Sequence, residues 1–285
     1  IYNYNIILDY ILRFLNYHKK NLYIVDLSKY VASTSKKIYK EGKTQLYFTK
    51  YEIDMALNDL KYFGLRKNDK WVCISDRDNN YLTVSRPEGW PKTEKSWDYH
   101  SYRNFSVKTL SAAAKVFVDQ GYYVFRMGKY VNEKFDANDS KIIDYANSDI
   151  KNDFLDVFLL ANCEFFLGPD SGIITVPIIF KKPTYRVNAS FTVLLFFLNS
   201  WLVIFKRLRD KNSQRLLSLS EILQSDFAYL TSSSSFQKYN IEPLDNSEED
   251  IKQLAIEINK INRGESIETK EDKILQLAYY GGKRR

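Results

Sequence analysis

The feature that most constrains the fold is the alternation of short apolar runs with amphipathic stretches between Trp71 and Val187. Short apolar runs predict buried strands, and apolar residues at helical spacing predict the helices between them. Strands that alternate with helices form parallel sheets, so we predict an α/β fold with a Rossmann-like parallel sheet flanked by helices. The predicted elements are strand 71–75, helix 106–120, strand 122–125, strand 142–143, helix 153–161, strand 164–167, helix 173–180 and strand 184–187.

The stretch Cys163–Pro183, CEFFLGPDSGIITVPIIFKKP, predicts a strand, a turn and a helix. Backbone N–H groups at such a turn hold phosphate readily in an α/β sheet. We therefore predict a phosphate cradle at the turn Asp170–Gly172, and the alternative is a tight turn without a ligand. Pro177 predicts either a kinked helix or a helix whose first turn it marks, with Thr175 as the N-cap.

Right-handed crossovers would place the loops after three of these strands at one edge of the sheet. Arg77 follows the first strand, and Arg126 follows the second. A planar guanidinium matches paired phosphate oxygens, so both arginines are candidate phosphate clamps. The alternative is that each arginine pairs with a nearby carboxylate at Asp76, Asp78 or Asp144.

The long loop above the same edge contains Asp98 and His100. A histidine near a carboxylate can act as a general base, although a lone loop histidine is more often a surface residue. The chain has two histidines, far apart in sequence, and no Cys/His cluster with the spacing of a metal site, so we predict no structural zinc. Cys73 and Cys163 fall in predicted buried strands, which is typical of packed thiols in a reducing, cytoplasmic compartment.

A helix is predicted over Phe48–Leu65, where Thr49 and Glu52 form a capping box and Gly64 is the C-cap. One face of this helix is predicted to be buried through an apolar stripe of Ile53, Leu57 and Leu60.

The first part of the chain also contains α/β signals, a helical spacing over 3–17 and a strand over 22–27. The polar run Arg66–Lys70 then predicts a domain boundary. We therefore divide the chain into a segment 1–65 and a sheet domain 66–285.

The most apolar stretch is Val193–Phe205, and it is shorter than the ~20 residues that a bilayer-spanning helix needs. Because Lys206, Arg207 and Arg209 follow it, the stretch could rest on an anionic membrane surface. The alternative is a buried helix or strand.

The balance of 42 basic and 35 acidic residues, a formal net charge of +7, favours anionic partners. Both signs of charge are interspersed, and the aromatic residues are scattered along the chain. Nucleic-acid modules usually concentrate basic residues on one element, so we predict no nucleic-acid partner.

Four linked segments resemble a family of uncharacterised bacterial glycosyltransferases. They are DYHSYRN (Asp98–Asn104), GYYVFRMGK (Gly121–Lys129), KIIDYANSDIKNDFLDVFLLANCEFFLGPDSG (Lys141–Gly172) and LSLSEIL (Leu217–Leu223). The resemblance implies a GT-B architecture, in which a carboxyl-terminal Rossmann-like domain binds a nucleotide-sugar donor and an amino-terminal domain binds the acceptor. Residues 1–65 would then be an incomplete amino-terminal domain. The implied acceptor is a bacterial surface glycan or a lipid-linked glycan.

The resemblance also implies roles for the candidate residues. The Asp-Ser-Gly turn is similar to the donor-phosphate loop of heptosyltransferase-like enzymes, and Arg77 matches a phosphate-binding arginine of fucosyltransferase-like enzymes. The residues expected to bind the donor diphosphate are Arg77, Arg126, Asp170, Ser171 and Gly172. His100 or Asp98 is the expected base, and Asp78 is expected to orient Arg77 or to reach a donor hydroxyl.

These positive groups predict transfer without a metal or another cofactor. The Asp76-Arg77-Asp78 triplet also fits the Asp-x-Asp pattern of metal-dependent glycosyltransferases, which is the competing reading of the same residues. Two other classes of function stay open, a nucleotide- or glycan-binding module without turnover and a basic protein that binds membrane surfaces or nucleic acid.

Overall fold

The computed structural model describes residues 43–44, 46–85, 98–136, 138–191, 200–265 and 269–274. Its central sheet consists of β1 (Trp71–Ile74), β2 (Tyr123–Arg126), β3 (Ile142–Ile143), β4 (Phe166–Gly168), β5 (Thr184–Ala189) and β6 (Ser200–Phe205). All neighbouring strands in this sheet pair in parallel, in the order β3-β2-β1-β4-β5-β6. This is the strand order of dinucleotide-binding Rossmann folds, so the predicted Rossmann-like parallel sheet is confirmed.

Helices cover both faces of the sheet. The α-helices are α1 (Lys50–Leu60), α2 (Asn80–Val84), α3 (Ser111–Asp119), α4 (Asp153–Asn162), α5 (Thr175–Ile179), α6 (Leu219–Gln224), α7 (Ser233–Lys238) and α8 (Glu248–Asn262). Short 3-10 helices span Lys61–Phe63, Asp98–Arg103, Val107–Leu110, Tyr145–Asn147, Gly172–Ile174 and Asp226–Tyr229. After the main sheet, β7 (Arg207–Asp210) pairs antiparallel with β8 (Ile241–Leu244).

The core lies on the two faces of the sheet because successive residues of a strand point to opposite sides. In β1, Val72 and Ile74 pack into a cluster with residues of α3 and α8. Trp71 and Cys73 pack on the other side with residues of α1 and α4. Cys73 and Cys163 are fully buried free thiols, and burial raises the pKa of Cys73 well above its usual range.

Helix α1 begins at the predicted capping box, since the Thr49 amide donates to Glu52 Oε2 at 2.6 Å and the Glu52 amide donates to Thr49 Oγ1 at 3.3 Å. The chain turns at Gly64, whose φ of 79° is in the left-handed region that glycine adopts easily. The predicted stripe is wrong at Ile53, which is 39% exposed, because only the second half of the helix reaches the sheet.

The predicted domain boundary falls between a helix and a strand that share one hydrophobic cluster. Leu60 and Leu65 precede that boundary, and they pack in the same cluster as Trp71. The described part of the segment 1–65 therefore contributes to the core of the sheet domain. The predicted helix over 3–17 and strand over 22–27 lie outside the described residues.

The helix after the Asp-Ser-Gly turn begins as a 3-10 helix and continues as α5, with Pro177 in the first α-helical turn. Its N-cap is Ile174 and not the predicted Thr175, because Thr175 already has helical backbone angles of φ −63° and ψ −34°.

The described end of the apolar run Val193–Phe205 is strand β6, which pairs with β5. Residues 192–199 lie outside the described part of the chain. Of the helices that the structure describes, none is both long enough and apolar enough to cross a membrane.

Candidate functional site

The strand order reverses between β1 and β4, because β2 and β3 lie on one side of β1 and β4 to β6 lie on the other. Open α/β sheets bind ligands at such a switch point. Ile74 pairs with Leu167, and the Ser75 amide donates to the Leu167 carbonyl at 3.0 Å. A Cβ on Gly168 would lie 2.7 Å from Ser75 Oγ, so the close approach of the two strand ends requires glycine. The loop that contains Arg77 and the Asp-Ser-Gly turn therefore start side by side.

Arg126 is fully buried at this edge, and its guanidinium is enclosed by protein oxygens. Nε and Nη2 donate to the two Oδ atoms of Asp76 at 2.9 and 3.1 Å, and Nη1 donates to Asp144 Oδ1 at 3.0 Å. Nη1 also donates to the Glu133 carbonyl at 3.2 Å. Arg126 thus adopts the carboxylate pairing that was the alternative to a phosphate clamp, and a phosphate would have to displace Asp76 or Asp144 to reach it.

Asp78 joins two loops of the same edge. Its Oδ1 accepts from the Asn80 amide at 2.8 Å, and its Oδ2 accepts from the Asn132 amide at 2.7 Å. The negative charge of Asp78 also opposes the lowering of the pKa of Arg77, although the two side chains form no ion pair. Both carboxylates of the Asp-x-Asp triplet are therefore occupied by protein donors. The described residues contain no group of three or more His, Cys, Asp or Glu side chains placed to hold a metal ion.

Arg77 lies between the β1 loop and the 3-10 helix Asp98–Arg103, and it is 8% exposed. Its Nη1 donates to the His100 carbonyl at 3.1 Å and to Asn104 Oδ1 at 2.5 Å. Among the described carboxylates, none forms an ion pair with Arg77. Burial and the nearby charge of Arg103 lower the pKa of Arg77 to about 10, which is the signature of a positive charge that its surroundings do not compensate.

His100 is held in the same 3-10 helix with its ring against that of Tyr99, at a centroid distance of 3.8 Å. Its Nδ1 atom is buried and has no hydrogen-bond partner among the described residues. Burial and the charges of Arg103 and Arg77 lower the pKa of His100 to about 4, against a hydrogen bond to the Thr231 backbone. The imidazole is therefore uncharged at neutral pH.

Asp98, the other residue predicted as a base, begins this 3-10 helix. Its exposed carboxylate accepts from Asn79 Nδ2 at 3.2 Å, and its carbonyl accepts from Ser233 Oγ at 2.9 Å. The helix is thereby fastened to the loop after β1 on one side and to α7 on the other.

Arg103 ends the 3-10 helix and was assigned no role from the sequence, although it stands in the quoted segment DYHSYRN. Its Nε is buried without a partner in the described structure, and its Cζ lies 5.9 Å from the centre of the Tyr102 ring. Its charge acts on Arg77, His100 and Asp170 together. Arg103 is therefore the residue that connects the β1 loop electrostatically with the turn after β4.

In the Asp-Ser-Gly turn, the Asp170 carboxylate forms a buried ion pair with Arg186 of β5. Burial raises the pKa of Asp170, and the charges of Arg186 and Arg103 oppose that rise. Ser171 Oγ is buried without a partner among the described atoms, and a Cβ on Gly172 would meet nothing within 4 Å. Arg186 was also missed, although a charged residue inside the otherwise buried strand TYRVNA is a detectable signal.

Buried polar side-chain atoms without a hydrogen-bond partner concentrate at this edge of the sheet. Native proteins leave few such atoms, and a cluster of them indicates a place that receives a polar ligand or water. Within the described part of the chain they include Ser75 Oγ, Asn79 Oδ1, His100 Nδ1, Arg103 Nε, Asp170 Oδ2, Ser171 Oγ and Asn188 Nδ2.

A small cleft adjoins this cluster beyond the carboxyl ends of β5 and β6. Its walls are mainly apolar, and they include the aromatic rings of Tyr102, Phe191, Phe227 and Phe236. Its volume of about 10 Å³ holds about one water molecule, far less than the ~300 Å³ of a small-molecule pocket. Tyr102 precedes Arg103, so the aromatic cleft and the cationic cluster are adjacent.

The basic residues after the apolar run all have acidic partners. Lys206 Nζ contacts Asp245 Oδ1 at 2.5 Å, and the other two pairs are Arg207–Asp250 at 3.3 Å and Arg209–Glu242 at 2.5 Å. Lys206 is also buried. The pairing neutralises the positive charge on which a contact with an anionic membrane surface, the alternative to a buried helix or strand, would depend.

Comparison with known protein-family models, curated proteins and solved structures finds no match to this chain. The functional proposal therefore rests on the geometry of the site.

Proposed function

We propose that the protein is a glycosyltransferase that holds the diphosphate of a nucleotide sugar at the carboxyl ends of β1 and β4. The observation that carries the proposal is the pair Arg77 and Arg103, two cations that form no ion pair with a described carboxylate. Arg77 is buried and Arg103 is partly buried, and because a buried charge without a counterion is costly, this arrangement favours an anionic ligand. Ser171 Oγ and His100 Nδ1 supply further polar atoms without partners at the same place.

The feature that favours a nucleotide over an inorganic anion is the group of aromatic rings next to Arg103. Aromatic walls stack on planar rings, and Tyr102 and Phe236 lie with ring centroids 5.1 Å apart in this cleft. A planar base would have to separate these rings in order to stack on them while its two phosphates contact the arginines.

In the proposed transfer, the bond between the donor sugar and the diphosphate breaks, and the diphosphate leaves with additional negative charge. Fixed cations in a site shielded from water stabilise such charge strongly. Arg77 and Arg103 would perform this task without a metal ion, and Arg186 would keep Asp170 from repelling the phosphates. The acceptor is a hydroxyl of a surface glycan or of a lipid-linked glycan.

The acceptor hydroxyl must lose a proton, and Asp98 fits this role better than His100. The Asp98 carboxylate is exposed at the edge of the site, whereas burial and the charges of Arg103 and Arg77 keep the His100 imidazole a weak base with a pKa of about 4.

A second candidate is a nucleotide-binding module without turnover. It is favoured by the observation that the described residues form one Rossmann-like sheet, whereas a GT-B enzyme divides donor and acceptor between two such domains. Donor binding without transfer or donor hydrolysis would identify this case.

The test begins with a thermal-shift screen of nucleoside diphosphates and nucleotide sugars, since a ligand at 100 times its Kd stabilises by about 2.7 kcal/mol. For a ligand that binds, Arg77→Gln and Arg103→Gln should each weaken binding of the nucleoside diphosphate by roughly 10- to 100-fold. Binding of the nucleoside should be weakened much less. Arg263→Gln is the matched control, because Arg263 is exposed at the end of α8 beside Gln120, at the opposite edge of the sheet. Equal losses for diphosphate and nucleoside, or no shift with any ligand, would contradict the proposal.

A further inference from the structure

The imidazole of His100 is held in a fixed position and has one ring nitrogen that could bind a ligand. Its ring bonds to the Thr231 backbone and packs on Tyr99, which fixes the imidazole in place. The remaining ring nitrogen, Nδ1, is buried without a partner among the described atoms. A buried acceptor that stays unpaired costs free energy, so such an atom points to a group that arrives with the ligand.

The charges around His100 come from several elements. Arg103 on its own 3-10 helix and Arg77 in the loop after β1 act on the imidazole directly, and the rings of Tyr99 and Tyr102 lie next to it. Asp78 and Lys206 interact with Arg77, and Asp170 interacts with Arg103. The exposed carboxylate of Asp98 is on the same 3-10 helix as His100. The acidic members are engaged elsewhere, since Asp78 binds backbone amides and Asp170 pairs with Arg186. The charges that act most on the imidazole are therefore the two arginines.

We infer that His100 is a third cation of the diphosphate site, one that becomes charged only when an anion binds. When a phosphate group enters between Arg77 and Arg103, Nδ1 takes a proton from solvent and donates an N–H hydrogen bond to a phosphate oxygen. The bond between the ring and the Thr231 backbone is kept. This inference rests on the proposed diphosphate site, and it replaces the predicted role of His100 as a base with a role in holding the departing diphosphate.

The physical reason is a change in the sign of the surrounding potential. Without an anion, burial and the charges of Arg103 and Arg77 disfavour a proton on the imidazole. A diphosphate brings more negative charge than the two arginines bring positive charge, so the protonated ring becomes the favoured form. A unit charge at ~4 Å in a medium of effective dielectric constant ~20 is enough to raise a pKa by roughly two to three.

The chain suits a direct measurement because it contains only two histidines. His18→Gln leaves His100 as the single imidazole, and its pKa is then read by NMR titration of the ring protons. The probe is inorganic pyrophosphate, with UDP and GDP as second probes and sodium chloride at matched ionic strength as the control. We expect the pKa of His100 to rise by about two to three with a diphosphate and to stay near its starting value with chloride.

Arg103→Gln tests whether the charge of Arg103 lowers the pKa of His100. It should raise the pKa of His100 before any ligand is added, because one repelling charge is gone, and Arg263→Gln should leave that pKa unchanged. A diphosphate that binds through Arg77 and Arg103 without moving the pKa of His100 would overturn this inference and leave the proposed function standing. Failure of all three diphosphates to bind would overturn both.

Calorimetry of His100→Asn gives a second readout. Asparagine keeps a neutral N–H donor near the position of Nδ1 and cannot take up a proton. In buffers of different ionisation enthalpy, the parent should take up more protons on binding UDP than the variant does, and the variant should bind roughly 10-fold more weakly. Equal proton uptake by the two proteins would contradict the role of His100.

Discussion

Arg126 and Arg77 follow neighbouring strands of one sheet, yet they lie in regions of opposite charge balance. Arg126 is enclosed by Asp76 and Asp144, whereas Arg77 is buried near Arg103 without an ion pair to any described carboxylate. A buried cation that is paired and hydrogen-bonded is part of the folded framework. A buried cation without a counterion is destabilising until an anion reaches it. A structural arginine is therefore distinguished from a candidate ligand-binding arginine by whether carboxylates compensate its charge. Its position at the end of a strand does not distinguish the two.

The largest effect is expected from removing the compensated arginine. Arg126→Met leaves Asp76 and Asp144 in the interior without their partner, and breaking a buried pair in this way costs about 3 to 5 kcal/mol. Urea denaturation would measure the loss of unfolding free energy. Arg77→Met should change that free energy by no more than about 1 kcal/mol, because two hydrogen bonds are lost while an uncompensated charge is removed.

The double variant Arg126→Met with Asp76→Asn tests whether the unpaired carboxylates cause the loss of stability, since it also removes the charge of a buried carboxylate. It should recover part of the stability lost in Arg126→Met. If the two arginine variants are equally destabilised, the difference in charge balance does not explain their roles.

Two glycines of the Asp-Ser-Gly region give the next comparison. Gly168→Ala should destabilise the protein by about 1 to 3 kcal/mol, because the new Cβ would lie 2.7 Å from Ser75 Oγ and 2.8 Å from the Phe166 ring. Gly172→Val should be nearly neutral for stability, since a Cβ there meets nothing within 4 Å. If phosphate approaches the backbone at Gly172, the same variant should weaken binding of nucleoside diphosphates by roughly 10-fold. Unchanged binding would place the phosphates elsewhere.

A smaller effect is expected on the pH dependence of stability. The pKa of His100 is about 4 in the folded protein and that of an unfolded histidine is about 6.5, so the unfolded chain binds more protons between these values. This contribution to stability is complete above pH 6.5 and is lost as the pH falls towards 4. The melting temperature of His100→Asn should therefore fall less than that of the parent between pH 7 and pH 4.5. Parallel pH curves for the two proteins would show that His100 keeps an ordinary pKa in the fold.

The smallest effect is expected from removal of metal ions. Asp76 and Asp78 are both occupied by protein donors, so donor binding and any sugar transfer should be unchanged by EDTA. Binding that EDTA abolishes and Mn²⁺ restores, with the rescue lost in both Asp76→Asn and Asp78→Asn, would instead favour the metal-dependent reading of the Asp-x-Asp triplet.

Much of the fold could be predicted because its signals are local. Apolar runs, helical spacing and turn residues predicted the order of strands and helices, and the capping box at Thr49 and Glu52 is present as expected. Local signals fail where burial depends on distant neighbours. Ile53 has the spacing of a core residue, but it lies on the part of α1 that does not reach the sheet.

Residue patterns were enough to predict a Rossmann-like parallel sheet and the edge at which polar loops lie, because chain periodicity and the handedness of crossovers depend on neighbouring residues. Which charges are compensated at that edge became known from the folded structure. Arg126 and its partner Asp76 are 50 residues apart in the chain, and the sequence named this pairing as one alternative without deciding between it and a phosphate clamp. Arg103 and Arg186 became part of the candidate site for the same reason, because folding brings their charges to the turn after β4. Electrostatic balance depends on distance in space, which the order of residues does not specify.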